Sequence, residues 1–523
     1  MSRSPLLVGN AQAFWGDDPD APARLVRQQP NLDFLTLDYL AEVSMSILAI
    51  QREKNPQFGY ARDFIDVVKS LVPAWKSGAH FKIVTNAGGL NPKACGAACV
   101  DLLKKADVDL RVAVVSGDDV LPILKKENRD LFSNLETGEP IAKMRERLTT
   151  ANAYLGAEPI ATALADGADI VITGRVADPS LTVGACLAHF DWKIDNGAGG
   201  RRATWTGGPQ GRASGSERVK YDSIAGATIA GHLIECGTQA CGGFSTDWLE
   251  LPDNGNIGFP IVEISEDGSC VVTKPKGTGG GINLRTVKEQ LLYEVGDPGN
   301  YLSPDATVSF LDLDVKEIGQ DRVSVRGAKG RAPSSQYKVS ATYHDGFKAH
   351  AMITIFGRNA VAKARKAGEN ILRQLERDGI NFERSLVECL GSGASVPGVK
   401  IDNGAGGSRA TSTGGPEGRE SGSERVNHPE ELMETVLRVS VADSNRGNVE
   451  QFTKKIAALV TAGPQGVTGY SAGRPKIQAV FGYWPCLIDK ELVEPKIDML
   501  SSVEAAVSAA YSQHAGDTPA TTN

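Results

Sequence analysis

Unbroken apolar runs that end in a polar or glycine loop and give way to a helical pattern recur through the first 190 residues. "LDFLTLDYLAEVSMSILAIQRE" places Asp38 just past its run. "HFKIVTNAGGLNPKACGAACVDLLKKA" places Asn86, Gly88 and Gly89 in the loop, with Pro92 near the helix start. "DLRVAVVSGDDVLPILKK" puts Asp118 and Asp119 there, and "ADIVITGRVADPSLTVGACL" puts Arg175 and Asp178 there. A strand that is apolar on both faces must be covered on both, and strands alternating with helices indicate a parallel sheet between helical layers. From about Leu251 the pattern changes. "QYKVSATYHDGFKAHAMITIFG" alternates across a His-Asp-Gly turn and reads as a hairpin. The helical "NAVAKARKAGENILRQLERDG" and the strand-like "METVLRVSVADS" and "KIQAVFGYWPCLIDKELVEPKIDML" follow. The expected fold is α/β, a mostly parallel sheet with helices on both faces, plus a second α+β domain with a mostly antiparallel sheet. The expected division is 1–250 for the first domain, 251–500 for the second, and 501–523 for a helix end and frayed tail.

In open parallel sheets, ligands bind beyond the carboxyl ends of the strands. Asp38, Asn86, Gly88, Gly89, Asp118, Asp119, Arg175 and Asp178 all fall at that edge. Asp and Asn also cap helices and populate turns, so each carries a structural reading too. Arg175 is the stronger case, because a turn has no need of a guanidinium, whereas a bound carboxylate or phosphate does. The adjacent Asp118 and Asp119 could, with Asp38, hold a divalent cation, or they could cap a helix. Further on, "YDSIAGATIAGHLIECGTQACGGF" sets His232 and Glu235 at i,i+3 on one helix face, where a histidine can serve as acid or base near neutral pH. The glycines of "KGTGGGINLR" could aim backbone N–H groups at an anion, although they match neither phosphate-loop pattern.

One phrase occurs twice. Lys193–Lys220 and Lys400–Asn427 are 28 residues each and differ at five positions, while their flanks are unrelated. Each copy has seven glycines and almost no periodic apolar residues, too little to offset its own ordering entropy. A true structural repeat would keep its apolar spacing and let its surface drift. Both copies therefore read as passive elements inserted in surface loops, one in each domain, rather than as paired anion-binding loops.

The bulk properties exclude several classes. A net charge of −7 over 523 residues offers no footprint for nucleic acid. The start, "MSRSPLLVGNAQAFWG", lacks a secretory pattern, and no run reaches membrane-spanning length. The eight cysteines show neither disulfide nor zinc spacing. A cytoplasmic protein is expected, with no membrane insertion, and its composition is compatible with a homo-oligomer.

Outside the two copies, the chain resembles the AtuA family, named for acyclic terpene utilisation. The resemblance rests on "VGNAQAFWGDDPDA", "LDFLTLDYLAEVSMSILA", "VTNAGGLNPKAC", "ANAYLGAEPIATALADGADIVITGRVADPSL", "GHLIECGTQACGGF", "EQLLYEVGDPGNYLSPD" and "GPQGVTGYSAGRPKIQAVFGYWP", in order along nearly the whole chain. It implies a place in the degradation of citronellol- or geraniol-type compounds through acyl-CoA intermediates, with CoA entering as part of the substrate. It also brings Asn10 into the candidate set. The expected function is that of an enzyme acting on an acyl-CoA or branched carboxylic acid, as a lyase or hydratase. Asn10, Asn86, Gly88, Gly89, Arg175 and Asp178 would bind the acid or thioester, and Asp38, Asp118, Asp119 or His232 would move protons. The alternatives are a divalent-metal hydrolase and a non-catalytic acyl-ligand-binding or assembly protein.

Overall fold

A computed structural model describes residues 3–126, 132–192, 221–393 and 432–500. Both copies of the repeated phrase and the expected C-terminal tail lie outside the described residues. The chain divides into two compact units, 1–343 with 483–523, and 344–482.

The first unit is built on strands β1 (Leu6–Asn10), β2 (Phe34–Leu37), β3 (Lys82–Thr85), β4 (Val112–Ser116), β5 (Leu148–Ala153), β6 (Ile170–Thr173), β7 (Ile261–Ile264) and β8 (Cys270–Thr273). Its helices include α1 (Ala21–Gln28), α2 (Glu42–Lys54), α3 (Asp63–Lys76), α4 (Pro92–Lys105), α5 (Leu121–Lys126), α6 (Glu158–Ala165), α7 (Ser180–Phe190), α8 (Tyr221–Glu235) and α9 (Leu284–Leu292). Ten strands form one mixed sheet, in which β1, β2, β3, β6 and β4 run parallel in that order. The parallel strands are the apolar runs seen in the sequence, and they are buried almost throughout. Beyond β1 the sheet continues antiparallel through β7, β8, Arg322–Arg326 and Asp314–Gly319, so strands past Leu251 extend this sheet. Beyond β4 it ends on the antiparallel strand Lys496–Leu500.

Strand order fixes where a ligand crevice can open. The chain steps from β1 to β2 to β3, passes over one position to β4, and then turns back to β6 between them. Crossovers of one hand that reverse direction must switch faces. The packing shows that switch. Leu25 of α1, Phe64 of α3 and Cys95 of α4 pack on one face with Ile83 and Ile172. Ile160 of α6, Leu181 of α7 and Ile224 of α8 pack on the other with Val84 and Val171. The switch point therefore lies between β3 and β6, the position where doubly wound sheets open a binding crevice. Gly88, after β3, makes a close approach there: a Cβ on it would stand 2.5 Å from the carbonyl oxygen of Thr173 and 2.6 Å from Cβ of Pro92. Gly89 holds φ at +50°, which few other residues adopt.

In the second unit, Phe347–Phe356 pairs antiparallel with Glu434–Asp443, which pairs antiparallel with Arg384–Leu390. One face buries Ala349, Ile353, Leu437 and Val439 under Ile371 and Leu375 of the helix Ala360–Arg377 and Phe452 of Arg446–Lys455. This is the expected antiparallel α+β sheet. The expected hairpin at His-Asp-Gly is absent. Gln336–Phe356 is one continuous strand, paired over Val339–Tyr343 with β5 and over Phe347–Phe356 with Glu434–Asp443.

Candidate active site

Three loops at the carboxyl edge interlock through side chains. Asn86, after β3, donates from Nδ2 to Asp38 Oδ1 at 2.6 Å and accepts the Tyr39 N–H on Oδ1 at 2.6 Å. Asp38, after β2, also accepts the Leu40 N–H at 3.3 Å. Arg175, after β6, donates from Nη1 to the Leu40 carbonyl at 2.6 Å and from Nη2 to Asp178 Oδ1 at 2.5 Å. Its guanidinium carbon lies 4.1 Å from the Tyr154 ring centroid. Arg175 is 2% exposed and the Asp178 side chain 34%, so the ion pair runs from the interior to the surface. A planar fork bonding to two groups while stacked on an aromatic ring is a task lysine cannot perform.

Asp118, after β4, is buried behind this group. Its Oδ2 accepts the backbone N–H of Arg175 at 2.9 Å and Nδ2 of Asn152 at 2.7 Å. Asp119 stands apart: exposed, it accepts the Leu121 N–H at 3.1 Å and caps α5. Consecutive side chains point different ways, so the two acids do not present a joint ligand pair. Among the described residues, no group of three or more His, Cys, Asp or Glu is placed to hold a metal ion.

A second group comes from the end of α8. Asn10, the fully buried last residue of β1, donates from Nδ2 to the carbonyls of Ile234 at 2.6 Å and Glu235 at 3.0 Å, tying the C-terminus of α8 to the sheet. His232 Nδ1 lies 2.9 Å from Glu235 Oε1, and its Nε2 lies 2.9 Å from the Gln290 carbonyl. A carbonyl only accepts, so Nε2 carries a hydrogen. Gln290 Nε2 donates back to the His232 carbonyl at 2.9 Å. Tyr301 and Phe310 flank the imidazole, with ring centroids 6.0 and 5.9 Å away.

Burial sets the electrostatics. Desolvation raises the Asp38 carboxyl to about 7, with Arg175 and the Asn86 hydrogen bond pulling down and Glu235 pushing up. Desolvation likewise raises Asp118 to about 6, against the hydrogen bonds from Arg175 and Asn152. Burial pulls His232 down, but the hydrogen bond and charge of Glu235 outweigh it, and the imidazole is raised. Burial raises the Tyr301 phenol, and Glu235 and Asp178 add to it. Asp38, Arg175, Asp178, Glu235 and Tyr301 thus act on one another electrostatically. At this edge sits a carboxyl raised to about 7, beside a buried guanidinium and within reach of the charge of Glu235.

Of the residues the sequence pointed to, Asp38, Asn86, Arg175 and Asp178 belong to one hydrogen-bonded group, and His232 is tied to it through Glu235, whose charge acts on Asp38. Asn10, Gly88 and Gly89 hold the framework. Tyr154, Gln290 and Tyr301 are not among the residues the sequence singles out, and Glu235 stands there only as the partner of His232. The family motif around "GNYLSPD" was the only signal for Tyr301. The glycine loop before α9 is not an open anion site, because Asp321 Oδ1 accepts the Ile282 N–H at 3.0 Å and Glu317 Oε1 accepts the Leu284 N–H at 2.8 Å.

No helix among the described residues is long and apolar enough to cross a membrane. Searches of curated proteins and of solved structures each returned no match. The family model described as "Acyclic terpene utilisation family protein AtuA" matches residues 6–205 and 214–499. The match takes in every residue of the candidate site, and it supports a role in acyclic terpene utilisation. The chain belongs to the AtuA family.

Proposed function

We propose that this protein is an enzyme of acyclic terpenoid breakdown that moves protons on an acyl-CoA or branched carboxylic acid, as a lyase or hydratase does. One observation carries the reading: Asp38, buried after β2 and bonded to Asn86 at the β3 side of the switch point, has its carboxyl raised to about 7 by desolvation. A group poised near the working pH suits general acid catalysis, and perturbed carboxyls in crevices are candidates for it. Arg175 supplies the anion-binding element. Asp178 occupies one of its donors and is one-third exposed, so a substrate carboxylate or thioester oxygen has a position to take over. The divergence of Asp118 and Asp119 speaks against the metal-hydrolase alternative.

The test is turnover of branched 2-enoyl- and 3-hydroxyacyl-CoA thioesters across pH. The value of kcat/KM should fall as pH rises through about 7, where Asp38 loses its proton. Asp38→Asn should reduce turnover by roughly 10²- to 10⁴-fold. Turnover that keeps its full rate above pH 8 would exclude Asp38 as the acid, and binding without turnover would favour an acyl-ligand-binding protein.

A further inference from the structure

We propose that Glu235 is the base of this site: its Oε2 removes the Cα proton of a 3-hydroxyacyl thioester, while Asp38 protonates the departing hydroxyl. The inference rests on the proton-transfer reading above and names the second catalytic residue and the substrate class. Glu235 is the last residue of α8, and its two oxygens are unlike. Oε1 is engaged by His232. Oε2 is buried and accepts no hydrogen bond from any described residue. A buried carboxylate oxygen without a donor is costly, and such oxygens in native structures call for a functional explanation. The carboxylate is held in place rather than loose. His232 is fixed at its other nitrogen by the Gln290 carbonyl and boxed by Tyr301 and Phe310, while Asn10 clamps the carbonyl of Glu235 itself. Glu235 thus closes a 15-residue helix whose end is tied to the sheet. Its charge opposes ionisation of Asp38, Cys236 and Tyr301, which places it on the same patch as the acid.

The step balances without a cofactor. Glu235 takes the Cα proton, the C–H electron pair moves onto the thioester carbonyl as an enolate, and its collapse forms the carbon–carbon double bond. The Cβ–O bond breaks, and the oxygen leaves as water with the proton of Asp38. Glu235 ends protonated and Asp38 ionised, and exchange with solvent restores both. Hydration is the reverse. His232 and Gln290 are positioning residues in this scheme.

The experiment uses a 3-methyl-2-enoyl-CoA and its 3-hydroxy hydrate as probes in D₂O, with the full chain. Wild type should exchange the Cα proton of the hydrate and interconvert the pair. Glu235→Gln, close to isosteric, should lose both by at least about 100-fold. Asp38→Asn should lose interconversion but retain Cα exchange, because an acid is not needed to remove that proton. If Glu235→Gln fails to fold, Glu235→Asp keeps the charge with a shorter reach and should lower exchange by about tenfold or more. Undiminished exchange in the folded Glu235 variant overturns the inference alone. Absence of any reaction or exchange by wild type with either probe overturns the proton-transfer reading, and the inference falls with it.

Discussion

Replacing Asp38 by Asn should make the first unit more stable at pH 8 while abolishing its acid chemistry. Asp38 is buried, and desolvation raises its carboxyl from an ordinary 3.8 to about 7. The sign follows from proton counting. Between those two values the folded chain holds the proton and the unfolded chain has released it, so stability falls as pH rises through the window. The contribution is fully present below about 4 and lost above about 7. Roughly three pH units at about 1.4 kcal/mol each give about 4 kcal/mol, and relaxation around the ionised group would leave about 2–4 kcal/mol. Asparagine resembles the protonated acid: it keeps an oxygen for the Leu40 N–H and for Nδ2 of Asn86, and it has no charge to desolvate. The variant should therefore exceed wild type by no more than about 1 kcal/mol near pH 4.5 and by about 2–4 kcal/mol at pH 8. Urea unfolding of both proteins at several pH values, followed through the transition of the first unit, measures the difference. A gap that does not widen between pH 4.5 and pH 8, or a variant less stable than wild type at pH 8, would refute the argument that burial governs this carboxyl.

Arg175→Lys should weaken binding of whichever acid or thioester the wild type takes by about 1–3 kcal/mol, since lysine cannot bond to Leu40 and Asp178 while stacked on Tyr154; an unchanged constant by calorimetry would make Arg175 a purely structural ion-pair partner. Gly88→Ala should cost about 1–3 kcal/mol, because its methyl would meet the backbone of Thr173 and the ring of Pro92, and thermal unfolding should show the loss. All eight thiols are free and raised by burial, seven of them buried and Cys236 less so. Titration of the native protein with a disulfide reagent should therefore find at most one fast thiol, whereas several would mean the core opens readily.

Much of the first unit was legible because a strand covered on both faces must be written as an apolar run, and the residue after it must turn. That logic located Asp38, Asn86 and Arg175 at one edge. It could not order the strands. The placement of β6 between β3 and β4, and hence the switch point, depends on long-range pairing that no local period encodes. The same limit hid the joining of His232 to Gln290, which lies 58 residues away on α9. Adjacency misled in the other direction. Asp118 and Asp119 are neighbours in sequence, yet one faces the interior under Arg175 and the other caps a helix at the surface. The His-Asp-Gly stretch had the composition of a turn, but partner strands extended it into one strand.

The repeated phrase can be judged from what borders it. The chain leaves the described residues after Trp192 and re-enters at Tyr221. α7 starts just after β6 at the carboxyl edge and runs back, so its end lies at the amino edge, where the Ser4 carbonyl lies 3.1 Å from His189 Nε2. α8 begins at Tyr221 and returns over 15 residues, about 22 Å, to deliver His232 and Glu235 to the carboxyl edge. The first copy is therefore attached a full helix length from the site. The second copy is attached in the other unit, between strands Arg384–Leu390 and Glu434–Asp443, which pair antiparallel. The first attachment point supports the passive reading. Deleting Lys193–Lys220 and Lys400–Asn427 should leave fold and activity largely intact and change stability by roughly 1 kcal/mol or less per site, since loop length enters closure entropy only logarithmically. A polar linker of two or three residues between Trp192 and Tyr221 would relieve the junction. Circular dichroism would report folding, and thioester turnover would report function. A double deletion that folds yet loses all activity would show that the glycine- and arginine-rich phrase takes part in the reaction despite where it is attached.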